Sequence, residues 1–221
     1  MNKNNEKLGT ITIVAIVLVV LALGYFLFTT APKSSNITSS QNSNNANNMD
    51  GMHSQSNTPL DDSQLNSLVG KPLPDITLTD KDGKVITSES LKGKNTVLFF
   101  NEGLMCYPAC WNQIAMFGSD SRFDTAEVQA FSVLVDLSKD WQRAIDKMPE
   151  LAKAKTLFDT GASVSGKLGL LTLPSSMHRG SLPGHTYILL DKEGIVRFVK
   201  DDPNMAIAND MLMTKIAELN K

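Results

Sequence analysis

Cys106 and Cys110 are the only cysteines in the chain, and three residues separate them in Met105-Cys106-Tyr107-Pro108-Ala109-Cys110-Trp111. Two sulfurs this close can form a reversible disulfide, grip one soft metal ion, or staple a turn. The staple is the weakest of the three, because so small a loop removes only about 2 kcal/mol of unfolded-chain entropy against ~4.7 for a loop of about 100 residues. The gap is compatible with a disulfide, which tolerates Cα separations up to ~6.8 Å. The pair follows Val97-Leu98-Phe99-Phe100, the short, fully apolar run of a strand buried on both faces. It is therefore predicted at a strand-to-helix turn, at the carboxyl end of a central strand, where open α/β sheets place their sites. A helix opening near Tyr107, with Pro108 in its first turn, puts Cys106 beside free N–H groups that favour a thiolate.

Two further residues could join this chemistry. His185 can stabilise a thiolate, act as acid–base or ligate a metal, unless it is merely a surface residue of the loop after Gly184. Glu102 precedes the cysteine turn and could take a proton from Cys110; an exposed loop acid is the plainer alternative. Trp111 is either a partner-facing aromatic or core, and Met211 and Met213 read as helix packing. The segment Thr172–Gly184 is either a lid over the site or a surface insertion.

What must position these residues is a chain of 221 residues in three unlike segments. Residues 1–30 hold Lys3 and Lys7 and then an apolar run, Ile11 to Phe28, that reaches about 20 residues when extended to Leu8, enough to span a bilayer as a helix. This reads as a retained signal anchor in preference to a cleaved signal peptide, whose apolar region is about 7–15 residues. Lysines on the short side keep that side cytoplasmic. The expectation is a single-pass protein of the cytoplasmic membrane with its domain on the extracytoplasmic face. Residues 31–59 are mostly Ser, Asn, Gln and Thr and read as a flexible tether. Within it Met49-Asp50-Gly51-Met52-His53 combines thioethers and imidazole, donors that suit copper, although chance tether sequence explains it as well.

Residues 60–221 carry the punctuation of a folded domain. A β-hairpin is predicted from Ile76-Thr77-Leu78-Thr79 through the Lys81–Lys84 turn to Val85-Ile86-Thr87. Strands follow at Val97–Phe100, Val128–Val135 and Thr156–Asp159, with helices at Ser138–Met148, where Ser138 is the expected N-cap, and Gly161–Leu168. A second hairpin joins Thr186–Leu190 to Ile195–Lys200, and a last helix carries Leu212, Ile216 and Leu219 on one face. Strands alternating with helices make this an α/β fold around a mixed sheet flanked by helices. The net charge is −2, from 21 basic and 23 acidic side chains, which argues against nucleic acid as a partner, since that needs a basic stripe. Two cysteines likewise exclude a multi-disulfide scaffold and any four-cysteine zinc or iron–sulfur site.

The opening GKPLPDITLTDKDGKVITSESLKGK, the strand NTVLFF with a cysteine nine residues after Val97, and the late TYILLDKEGIVRFV resemble the redoxin branch of the thioredoxin fold. These are the alkyl hydroperoxide reductase / thiol-specific antioxidant proteins and their membrane-anchored thiol–disulfide oxidoreductase relatives. The resemblance runs from about Gly70 to Leu219. It implies a thioredoxin-like domain and a thiol-dependent oxidoreductase that needs no cofactor. Its partners would be an oxidised thiol or disulfide substrate and an external thiol reductant. Cys106 takes the reactive position and Cys110 the resolving one. Disulfide-exchanging relatives have two residues between their cysteines, not three. Peroxidatic relatives place a proline seven residues, and a threonine or serine three residues, before the reactive cysteine; here those positions are Phe99 and Gly103. The missing hydroxyl favours thiol–disulfide exchange over peroxide reduction. Where relatives hold a cis-proline or an arginine stands His185, with Pro183 the other candidate for a cis bond.

A second resemblance is to Sco-type copper chaperones, which share the fold, the anchor, the three-residue cysteine gap and a distant histidine. On that reading Cys106, Cys110 and His185 are copper ligands and the chain is not an enzyme. Trp111 replaces the proline that follows the second cysteine in that family.

Overall fold

In the computed structural model, residues 59–219 are described, and all of them lie within a single unit. The predicted anchor and tether, including the Met49–His53 patch, lie outside the described residues. Among the described residues no helix is long and apolar enough to cross a membrane.

Seven strands form one mixed sheet in the order β2-β1-β5-β4-β3-β6-β7. They are β1 Thr77–Asp80, β2 Val85–Thr87, β3 Asn95–Asn101, β4 Val128–Leu134, β5 Thr156–Phe158, β6 Thr186–Leu190 and β7 Val196–Asp201. Strand β3 runs parallel to β4 and antiparallel to β6. Both predicted hairpins are present, as β1–β2 and β6–β7.

Every residue of β3 is buried, because alternate side chains serve two cores. Val97 and Phe99 enter one core together with Ile114, Trp141 and Leu212, from helices α2 (Ala109–Ser119), α3 (Ser138–Lys147) and α5 (Asn209–Leu219). Leu98 and Phe100 enter the other, with Leu65 of α1 (Ser63–Asn66), Leu78 and Ile86 of the first hairpin, and Val164 of α4 (Ser163–Lys167). Each such side chain removed from water contributes about 1.5–3 kcal/mol, so the strand that carries the cysteine turn is the best-supported element of the sheet. In α5 the apolar face is Leu212 and Ile216, fully buried, with Leu219 at its half-covered end.

Three local details differ from expectation. Helix α2 begins at Ala109, two residues later than predicted, because a 3-10 turn at Gly103–Met105 and a cis Tyr107–Pro108 peptide hold Cys106–Pro108 outside it. Pro183 carries no cis bond. In α3 the N-cap is Leu137, whose extended backbone presents its carbonyl to Asp140 and Trp141; Ser138 is already helical and makes no side-chain cap.

Candidate functional site

Antiparallel pairing of β3 with β6 ends at Phe100 opposite Thr186, so the start of β6 lies beside the end of β3. That register brings His185 to the cysteine turn, although 75 residues separate it from Cys110. Cys106 and Cys110 form a disulfide with Cα atoms 5.3 Å apart. The Cys110 N–H donates to the Cys106 carbonyl at 3.0 Å, which seats Cys106 against the N-terminal end of α2 as the sequence predicted. His185 Nδ1 is 3.5 Å from Cys110 Sγ. The two sulfurs and a His185 ring nitrogen all lie within 4.8 Å of one another.

This centre is dry. Cys106 is 2% exposed, and Cys110 and His185 are fully covered. The Phe99 ring lies edge-on to His185 at 4.5 Å and stacked on Tyr187 at 4.8 Å. Burial pushes the His185 imidazole down to about 4, with Asp202 pulling the other way, so the ring is neutral at neutral pH. Burial likewise lifts the Tyr187 phenol far above its ordinary value. Met105 and Tyr107, by contrast, are exposed on either side of Cys106. They open onto a groove of about 680 Å³ whose walls include Leu104, Trp111, Met148 and the cations Arg143 and Lys147.

Glu102 does not meet the cysteines. It is buried, and its carboxylate accepts from Met177 N (2.8 Å), His178 N (3.1 Å) and His178 Nδ1 (2.8 Å). The expected proton acceptor for Cys110 is instead a mooring for the 172–184 segment. That segment is pinned to the domain: Ser175 bonds Asp201, and Gly184 passes so close to Ser175 and Ser176 that a Cβ has no room there. Trp111 is core, its Nε1–H donating to Gly103 O at 3.1 Å and its ring edge-on to Trp141.

Gly103 sits where peroxidatic relatives carry a hydroxyl. Its φ is +58°, and a Cβ there would run into the Asp136 carboxylate, which accepts the Leu104 N–H at 2.9 Å. Burial raises the Asp136 carboxyl above its ordinary value. Sequence reasoning passed over Asp136 and also over Gln113 and Tyr187. Gln113 gives the one usable signal: a polar residue spaced three from Cys110 and four from Phe117, on the apolar side of α2.

The model of the AhpC/TSA family matches residues 69–199, more than half of the chain. The chain belongs to the AhpC/TSA family. Among curated relatives, this family member is 31% identical over 136 residues to the chloroplastic peroxiredoxin Q of Triticum aestivum, covering 59% of this chain and 57% of that protein. The chloroplastic peroxiredoxin Q of Sedum lineare is also 31% identical over 136 residues, with 59% and 67% covered. The chain thus spans little more than half the length of the wheat relative. Among solved structures, Mycobacterium bovis AhpC superposes with a TM-score of 0.58 at 19% identity, over 70% of this chain and 98% of that one. A yeast mitochondrial 1-Cys peroxiredoxin does so with a TM-score of 0.56 at 17% identity, over 68% and 74%. The AhpC/TSA domain here accordingly has the thioredoxin-like fold of the peroxiredoxins.

Proposed function

We propose that this chain is a membrane-anchored, extracytoplasmic thiol oxidoreductase that works through the Cys106–Cys110 pair. The observation that carries the reading is a bonded cysteine pair at the N-terminal end of a helix, with an imidazole nitrogen 3.5 Å from the second sulfur. The Cys106 thiolate attacks a sulfur of a disulfide substrate, and the far sulfur leaves as a thiolate that is then protonated. Cys110 attacks the mixed disulfide, the second substrate thiol departs, and the Cys106–Cys110 disulfide remains for an external thiol reductant to reopen. The yeast 1-Cys peroxiredoxin above is described as resolved through glutathione/thioredoxin systems, and a donor of that class fits this cycle.

Disulfide exchange is favoured over peroxide reduction. Gly103 offers no hydroxyl to hold a peroxide, and the Asp136 carboxylate occupies the space that a side chain there would need. The anchor and tether rest on the sequence: Lys3, Lys7 and the Ile11–Phe28 run support a domain held beyond the cytoplasmic membrane on a Ser/Asn-rich linker. The test is insulin-disulfide reduction and, separately, peroxide consumption by the full chain in detergent with dithiothreitol. Wild type is expected to reduce insulin, and Cys106→Ser to fall to the background rate. Equal rates in the two would overturn the reading.

A second reading has its own observation. Reduced Cys106 and Cys110 with His185 present two thiolates and an imidazole, soft donors within 4.8 Å of one another and shielded from water. They fit a cuprous ion as cargo, as in a Sco-like chaperone. Titration of the reduced chain with Cu(I) decides: tight one-to-one binding that His185→Ala abolishes makes copper the cargo, and weak binding indifferent to His185 removes it.

A further inference from the structure

Beyond the cysteine–histidine contact, a buried chain of polar groups runs from His185 into α2 and α5. His185 Nε2 meets the Tyr187 hydroxyl at 2.7 Å, and that hydroxyl meets Gln113 Oε1 at 3.1 Å. Gln113 Oε1 also takes the backbone N–H of Ala208 at 2.8 Å, and Gln113 Nε2 reaches Asn209 Oδ1 at 2.8 Å. Gln113, Tyr187, His185 and Asn209 are all buried, so each donor and acceptor must be matched inside the protein.

The direction of every bond can be deduced. A backbone N–H only donates, so the Gln113 atom facing Ala208 is the carbonyl oxygen. The other end agrees independently: the Asn209 amide faces Met116 O and the Asp120 carboxylate, both acceptors, which turns its Nδ2 toward them and its Oδ1 toward Gln113. With Gln113 Oε1 an acceptor, the single Tyr187 proton goes to it. The phenol oxygen is then left to accept, and His185 Nε2 must supply the N–H. A neutral imidazole has one N–H, so Nδ1 is bare and faces Cys110, whose sulfur is bonded to Cys106 here and gains a proton to offer it only when the pair is opened.

We infer that Gln113 and Tyr187 are positioning residues that lock His185 in its Nε2–H tautomer, so that Nδ1 serves as the base for Cys110 in the resolving step. The role rests on the redox reading above; the tautomer does not. When Cys106 is joined to a substrate sulfur, the Cys110 thiol points its proton at Nδ1. As the Cys110 sulfur bonds to Cys106, the Cys106–substrate S–S bond breaks and the substrate sulfur leaves with the electron pair. The proton passes from Cys110 through Nδ1 to that sulfur, giving a free thiol and the Cys106–Cys110 disulfide. The opposite tautomer would aim a proton at Cys110 and could not accept one.

The experiment is long-range ¹H–¹⁵N correlation on the reduced, ¹⁵N-histidine-labelled full chain in detergent, with His185 assigned by its loss in His185→Leu. Wild type is expected to show Nε2 protonated and Nδ1 bare. In Gln113→Leu the Tyr187 proton loses its acceptor and turns to Nε2, so the tautomer should switch. Closure of the disulfide from a preformed Cys106 mixed disulfide should then slow by about a hundredfold, at the low end of what a positioned base contributes. Gln113→Glu, which in its protonated form accepts from Tyr187 and Ala208 and donates to Asn209, should restore both. A protonated Nδ1 in wild type overturns the inference, even if Gln113→Leu fails to fold. So does an unchanged tautomer in a folded Gln113→Leu chain, and a switched tautomer with unchanged closure removes the base role. Because the tautomer is read without turnover, a chain that reduces no insulin yet shows a bare Nδ1 would refute the oxidoreductase reading and leave the lock intact.

Discussion

Gly103→Thr should destabilise the domain by about 2 kcal/mol or more and yield no peroxidase. The substitution puts back the hydroxyl that peroxidatic relatives carry three residues before the reactive cysteine, so it is the obvious route to that activity. Here the backbone forbids it. A β-branched residue at φ +58° is strained, at about 1–3 kcal/mol. Its Cβ also displaces the Asp136 carboxylate and strips the Leu104 N–H of its acceptor, for about 1–3 kcal/mol more. Urea unfolding of wild type and variant, with peroxide consumption measured on each, gives the answer. A variant as stable as wild type that consumes peroxide would show that the turn accommodates the side chain after all.

Acid should weaken the oxidised domain through His185, and His185→Leu should remove that sensitivity. The folded imidazole titrates at about 4 against 6.5 for the free side chain, so between these values the unfolded chain binds the proton first. Stability from this group is complete above pH 6.5 and falls as pH drops toward 4. At about 1.4 kcal/mol per pH unit the total loss is about 3 kcal/mol. Half-buried Asp136 and Asp201 have raised values and act in the opposite direction, gaining stability on acidification. Asp120, held at about 2 first by its bond to Arg122, loses stability only below the ordinary carboxylate range. The difference between wild type and His185→Leu therefore isolates the histidine. From pH 7 to pH 4 the wild-type urea midpoint should fall relative to that of His185→Leu if the assignment is right, and the two should run parallel if it is wrong.

What the sequence made legible was what local pattern encodes. The apolar run Val97–Phe100, both hairpins and the helical spacing of Leu212 and Ile216 each specify an element within a few residues. Cys106 and Cys110 announced themselves by rarity and spacing. His185 was legible as a candidate, but its burial was not, because the β3–β6 register that covers it is a long-range pairing. Glu102 was misassigned for the same reason: its partners, Met177 and His178, are more than seventy residues away. The place of Gln113 on the apolar side of α2 is legible, but the direction of its amide is not, since Ala208 and Asn209, which set it, come from the far end of the chain. The start of α2 slipped by two residues because the chain around Cys106–Pro108 follows a non-helical path that residue preference does not encode.

The covering of the two sulfurs bears on how fast the centre can work. Neither sulfur stands at the surface, and only the neighbouring Met105 and Tyr107 greet a visitor. On the oxidoreductase reading, a reductant in solution would reach the sulfurs only as the 103–108 stretch lifts, and turnover would be metered by the frequency of that lifting. As donor is added the rate climbs to a ceiling and stays there, however strong or plentiful the donor.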